Sequence, residues 1–215
     1  MKIGIIGSGI VGRVLGNAFL QEGHQVMLGT RNTLKDEVVN FLKENPAATA
    51  GSFEETAIFG DVIVLATAGN VTESAIAMAG IDNFSYKTVI DTTNPIADKP
   101  PLHGVLSFFT DLNSSLMEKI QLQIPAANVV KAFNSVGNAL MYKPILKGGT
   151  PSMFICGNNL GAKHQVSEIL DSFGWETEDM GAAEAARAIE PLCILWCIPG
   201  FIKNEWMHAF KLLKA

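Results

Sequence analysis

Lys2-Ile3-Gly4-Ile5-Ile6-Gly7-Ser8-Gly9-Ile10-Val11-Gly12 is the stretch that decides how this chain reads. Lys2 to Gly7 is a short apolar run, the pattern of a strand covered on both faces. Gly7, Gly9 and Gly12 fit G-x-G-x-x-G. Val11 to Glu22 then has a helical pattern that Gly23-His24 closes. A second strand candidate, Gln25 to Gly29, follows about twenty residues after the first. In this strand–turn–helix–strand context each glycine has a task. Gly7 permits a tight turn, Gly9 lets the backbone approach a pyrophosphate, and Gly12 lets the helix pack closely on the strand. Unpaired N–H groups and the positive dipole end of the helix face the phosphates. The plainer alternative is a glycine-rich turn that binds nothing.

The end of the second strand bears on which dinucleotide would bind. An NAD site carries Asp or Glu there, bonded to the ribose 2′-hydroxyl. This chain has Gly29-Thr30-Arg31-Asn32. No carboxylate repels a 2′-phosphate; Thr30 offers a hydroxyl and Arg31 a planar guanidinium. Lys35, four residues on at a helix start, is expected to reach the same place. The competing reading is a solvated pair of Lys35 with Asp36 or Glu37. On this reading NADP(H), not NAD(H), is the expected cofactor.

Further on, Val62 to Ala66, Thr88 to Asp91 and Asn128 to Ala132 are continuous apolar runs of strand length. Alternating with helices such as Thr33 to Asn45, they predict a parallel sheet covered on both sides. The fold class is α/β: a Rossmann-type doubly wound, mostly parallel sheet with a small C-terminal strand-and-helix extension. Residues 1–150 are expected to form the NADP-binding domain and 151–215 an extension packed on it. In that extension Ser152 to Cys156 and Thr177 to Met180 read as strands. Leu160 to Phe173, Ala182 to Cys197 and Phe201 to Leu213 read as helices. Pro95 to Gly104 is the one long loop.

Ligands of open parallel sheets sit at the carboxyl ends of strands. This adds Ala66-Thr67-Ala68, Asn94, Ala132 and Asn134 to Gly7, Ser8, Gly9, Ile10, Val11, Thr30, Arg31 and Lys35 as cofactor-binding candidates. The amides of Asn94 and Asn134 suit a carboxamide or a substrate, though Asn94-Pro95 is also an ordinary turn pair.

Hydrophobic residues make up 48% of the 215 and charged residues 17%, enough to bury a sizeable core. A net charge of −5 gives no broad electrostatic case for nucleic acid. The longest apolar stretch, Ile189 to Ile202, is broken by Glu190, Pro191, Pro199 and Gly200, so no membrane span is expected. The N-terminus reads as a first strand, not a signal peptide. Cys156, Cys193 and Cys197 read as buried thiols in a reducing cytoplasm, and no metal site is expected.

At these residues the chain resembles the coenzyme F-420 (deazaflavin)-dependent NADP oxidoreductases, whose nucleotide-binding fold is similar to the cytosolic part of the STEAP metalloreductases. The resemblance runs through Ile3-Gly4-Ile5-Ile6-Gly7 and Gly29-Thr30-Arg31. It returns at Val130-Lys131-Ala132-Phe133-Asn134, Phe154-Ile155-Cys156-Gly157-Asn158, Asp179-Met180-Gly181 and Arg187-Ala188-Ile189-Glu190. It implies that Thr30, Arg31 and Lys35 hold the 2′-phosphate. It also implies hydride transfer between nicotinamide and a flat deazaflavin or flavin ring, which needs stacking and orientation more than an acid or base. Thr67-Ala68-Gly69-Asn70 departs from the family's proline-containing segment, and Asn94 to Asn113, expected to line the second substrate's pocket, also differs.

No catalytic residue is assigned. His103, in the long loop, is the one histidine near the expected pocket; His24 ends a helix, where the dipole favours a cation. His164 and His208 read as helix-surface residues, and Arg187 with Glu190 as a pair on one helix. The expected function is an NADP(H)-dependent oxidoreductase with a small-molecule acceptor. The alternative is a non-catalytic NADP(H) sensor. The apolar helices after Glu190 are expected to form a homodimer.

Overall fold

The computed structural model describes residues 1–214. Eight strands form one sheet in the order β3-β2-β1-β4-β5-β6-β7-β8. The strands are β1 (Lys2–Ile6), β2 (Gln25–Gly29), β3 (Thr49–Gly51), β4 (Val62–Leu65), β5 (Thr88–Asp91), β6 (Asn128–Lys131), β7 (Ser152–Gly157) and β8 (Glu176–Asp179). All neighbours pair in parallel except β6 with β7. The first six strands follow the doubly wound dinucleotide-binding order, and the direction of winding reverses between β1 and β4. The extension adds β7 and β8 to the same sheet.

The apolar runs have the expected consequence. Ile3, Ile5, Ile6, Ile63, Val64, Leu65, Val89 and Ile90 are all fully buried, because helices cover both faces. The helices are α1 (Ile10–Gln21), α2 (Asp36–Glu44), α3 (Phe53–Phe59), α4 (Gly69–Ala79), α5 (Leu116–Gln123), α6 (Leu160–Ser172), α7 (Ala186–Ile189) and α8 (Leu192–Lys203). One core lies under α1 and α6, with Leu15, Phe19, Val166 and Phe173. The other lies under α4 and α5, with Ile76, Met117 and Ile120.

The sequence pattern missed β3 and helices α3, α4 and α5. Two of those helices carry a visible start signal. Ser52 and Glu55 form a reciprocal capping box on α3, and Ser115 accepts from the backbone N–H of Glu118 on α5. At seven and eight residues, they are too short for a convincing apolar period.

The C-terminus departs from expectation. No separate helix forms over Phe201 to Leu213: Phe201 to Lys203 are the last residues of α8, and Asn204 turns left-handed with φ of 57°. Trp206 then folds back on Gly200, where a Cβ would come within 2.3 Å of its ring. Phe210 and Leu212 then lie beside β7. The Ser152 N–H donates to the Phe210 carbonyl, and the Leu212 N–H to the Ser152 hydroxyl. His208 is therefore not on a helix surface; its ring stacks on Trp196 at 5.0 Å. His164 does sit on one, facing Glu168 one turn on. The irregular segment around Pro95–Gly104 is longer than expected and runs from Thr92 to Ser114.

The stretch Ala183–Lys203 bears on the membrane expectation. This 21-residue stretch is long and apolar enough, by length and composition, to cross a membrane. Within this fold it packs as a domain element: Ala186, Ile189, Cys193 and Trp196 are buried. Cys156 and Cys193 are buried as expected, while Cys197 is half-buried. Burial pushes the Cys156 thiol up to about 12.

The expected Arg187–Glu190 pair does not form. Arg187 instead grips Glu118, Nε lying 3.0 and 3.1 Å from its two oxygens. Glu190 turns inward. Its carboxylate accepts from the Leu116 and Met117 N–H groups at 3.0 Å, capping α5, and meets Lys131 Nζ at 2.9 Å. Lys131 also meets Asp91 at 2.6 Å. All three side chains are at most 1% exposed. Burial alone depresses the Lys131 pKa, but Asp91 and Glu190 more than reverse this, and it rises. Lys131→Met leaves two carboxylates buried without their cation and is expected to cost about 3–5 kcal/mol. Urea denaturation checks this.

Candidate dinucleotide-binding site

Two connected clefts open at the carboxyl ends of the strands, where the winding reverses. The first holds about 240 Å³ and the second about 380 Å³. They share Ala66, Thr67 and Ala68 at the end of β4.

The glycine loop forms the floor of the first cleft. Gly9 caps α1 without any side-chain hydrogen bond, so the first N–H groups of the helix have no side-chain partner there. A Cβ on Gly9 would meet nothing within 4 Å: the space beside it is open. A Cβ on Gly12 would lie 2.0 Å from the Gly7 carbonyl oxygen, so helix and turn touch through a hydrogen atom. Gly7 itself has φ of 123°. The tight turn at Gly7 and the close helix packing at Gly12 match the tasks read from the motif, and the space beside Gly9 is open. Arg13, which the sequence reading passed over, steadies the loop by donating to the Ser8 carbonyl at 2.7 Å.

At the end of β2 the Thr30 hydroxyl is occupied locally. It accepts from the Asn32 N–H at 3.2 Å, and the Asn32 side chain accepts from the Leu34 N–H at 2.9 Å. These small turns present Arg31 and Lys35 to one cleft. Among the described residues Arg31 makes no ion pair, while Lys35 lies 3.9 Å from Glu37, both 43% exposed. Lys35 thus lines the cleft while lying near Glu37, and a contact that long and wet contributes little.

The candidates divide clearly by position. Gly7, Ser8, Gly9, Thr30, Arg31, Lys35, Ala66, Thr67 and Ala68 line the first cleft. Val11 and Asn94 line the second, beside Thr92 and Thr93. Ile10 lines neither and is exposed. Ala132 lies in the core, and Asn134 lies behind Asn94 and is only 3% exposed. Asn94 donates to the Asn134 carbonyl at 2.7 Å, and Asn134 donates to Asn94 Oδ1 and to the Ile189 carbonyl. Asn134 thus links the second cleft to α7. Phe133, just before it, is held at φ of 61°.

Sequence reasoning missed Phe53, Val71, Ala75 and Met78, the apolar wall of the first cleft, because it missed α3 and α4. Ile96, Ala97 and Asp98 at the lip of the second cleft fall within the Asn94 to Asn113 segment expected to line the second substrate's pocket, though none of them was singled out. His103 is exposed and outside both clefts. His24 is the reverse of a helix-end cation: burial and the neighbouring N-terminal charge lower its pKa, outweighing the attraction of Glu22.

A doubly wound sheet with a glycine turn and open cleft at the winding reversal defines a Rossmann-type nucleotide-binding fold. Known proteins narrow this. The family described as NADP oxidoreductase, coenzyme F420-dependent, matches residues 2–95. A crystal structure from Arthrobacter sp. FB24, provisionally described as an F420 dependent NADP-reductase, is 30% identical with a TM-score of 0.93, each chain covered over 100%. This chain belongs to that family of NADP-dependent oxidoreductases. Metalloreductase STEAP3 of Rattus norvegicus is 31% identical over 92% of this chain, which spans 38% of that relative's length. A reductive aminase from Aspergillus terreus in complex with NADPH shares the fold at 13% identity and a TM-score of 0.69, over 94% of this chain and 63% of that one.

The glycine geometry separates two variants. Gly12→Ala forces helix and turn apart and is expected to destabilise the fold by about 1–3 kcal/mol. Gly9→Ala is expected to keep its melting temperature but to weaken NADPH binding, since its methyl fills only the open cleft. Thermal melts alongside NADPH titrations distinguish them.

Proposed function

We propose that this chain binds NADPH across the two clefts and passes a hydride from its nicotinamide to a flat deazaflavin- or flavin-like acceptor. The observation that carries the reading is Arg31, a guanidinium without an ion pair among the described residues, in the same cleft as the bare N-terminus of α1. Planar guanidinium suits a 2′-phosphate, and the helix terminus suits the pyrophosphate. The residues present fit the cofactor: the space beside Gly9 admits a phosphate, and Phe53, Val71 and Met78 offer an apolar wall to an adenine.

The nicotinamide supplies the hydride when bound; the chain's own residues position and enclose. Val11, Thr67, Thr93 and Asn94 surround the space next to the phosphates, and Asn134 fixes the Asn94 amide. Among the residues lining this second cleft, Asp98 is the one ionisable side chain. Transfer between two rings asks for stacking and orientation, not for an acid–base pair.

The free cysteines suit a reducing, cytoplasmic setting. Leu195, Phe201 and Ile202 on α8 are 45–60% exposed, which supports a homodimer through this face. A monomeric mass by light scattering at micromolar concentration would overturn that.

The first experiment is a titration with NADPH and NADH on the wild type and on Arg31→Ala. NADPH is expected to bind more tightly, and the variant to lose about tenfold to a hundredfold of that preference, the worth of charged hydrogen bonds. Equal binding of NADH by the wild type would refute the 2′-phosphate reading. NADPH binding with no oxidation by coenzyme F-420, FMN or riboflavin would instead favour a sensor.

A further inference from the structure

The two ends of the cleft carry opposite charge. Arg31 and Lys35 stand at the phosphate end. At the other end Asp98 is the only ionisable side chain of the lining, exposed at the lip. Lys99 follows it but does not line the cleft. The wall behind adds to the asymmetry. Thr93 lines the second cleft, and its carbonyl accepts from Lys131 Nζ at 2.8 Å. Lys131 is flanked by Asp91 at 2.6 Å and Glu190 at 2.9 Å. Two carboxylates face one ammonium there, and all three side chains are at most 1% exposed.

Oxidised and reduced NADP share the same adenosine, 2′-phosphate and pyrophosphate. They differ at the nicotinamide ring, which is a pyridinium cation when oxidised and neutral when reduced. Any difference in their affinities therefore reports the field at that ring. Resting on the proposed cofactor orientation, we propose that Asp98, backed by the buried Asp91–Lys131–Glu190 cluster, makes this site select the oxidised cofactor over the reduced one. Asp98 is thereby a specificity-determining residue for redox state. The consequence for the reaction is directional. A hydride, with its electron pair, leaves the reduced ring for the acceptor, which also takes up a proton from water where its chemistry requires one. The ring becomes one charge more positive, and Asp98 stabilises that charge by Coulomb attraction.

The test is a set of dissociation constants for NADP+, NADPH and adenosine 2′,5′-bisphosphate, on the wild type and on Asp98→Asn. Asp98 is exposed, so the variant is expected to fold. The wild type is expected to bind NADP+ more tightly than NADPH. Asp98→Asn should move that ratio about threefold to tenfold toward NADPH, the effect of one partly screened charge. Adenosine 2′,5′-bisphosphate, which lacks the ring, should bind both proteins equally. Raising the salt should shrink the Asp98 contribution. Tighter NADPH binding by the wild type, or an unchanged ratio in the variant, would overturn this inference and leave the function standing. Failure of all three ligands to bind would overturn the proposed function as well.

Discussion

Lys131 is the pin on which the strand ends depend. Taking an ammonium out of water is costly, and here two carboxylates and a backbone carbonyl repay it. The three acidic and basic groups come from β5, β6 and the junction of α7 with α8. Glu190 also caps α5 through two backbone N–H groups. One buried cluster therefore fixes four elements relative to each other, and it does so directly behind the second cleft. Apolar side chains of similar volume would fill the space, but they would not hold the Thr93 carbonyl or the start of α5 in one place.

Around that pin the site is built by subtraction as much as by addition. The glycine turn removes side chains so that helix α1 can approach β1 and so that space remains beside Gly9. The end of β2 omits the carboxylate that a ribose 2′-hydroxyl would need and presents Arg31 instead. Small residues at 66 to 68 let the two clefts meet. Arg31 and Lys35 line the first cleft, and Asp98 stands at the lip of the second.

The C-terminal residues do more than finish the sheet. Asn134 reaches the Ile189 carbonyl and Glu190 reaches Lys131, so α7 is wired to the second cleft by two independent polar contacts. Trp206 and His208 close over Trp196, and the tail beside Ser152 anchors the end of the chain to β7. Residues far from the glycine motif in sequence thus help set the shape of the cleft that the motif begins.

Much of this was legible in the sequence because it is local. Strand patterns matched seven of the eight strands, and the glycine spacing with the end of β2 pointed to Gly7, Ser8, Gly9 and Arg31, which line one cleft. Short elements escaped, since Phe53–Phe59 spans too few turns to show a period, although Ser52 and Glu55 marked its start. Partners distant in the chain escaped too. Nothing in Asp91, Lys131 or Glu190 taken singly says that they meet; Glu190 looked like a surface neighbour of Arg187. The helix expected over Phe201 to Leu213 ends at Lys203, where Asn204 turns left-handed and Trp206 packs on Gly200. Sequence by itself determined the strand–turn–helix start and the charge offered at the end of β2, because backbone geometry and short-range spacing fix both. Tertiary structure alone decided the buried cluster, the wall of the first cleft and the place of Asp98, because burial and charge pairing depend on which distant segments the fold brings together.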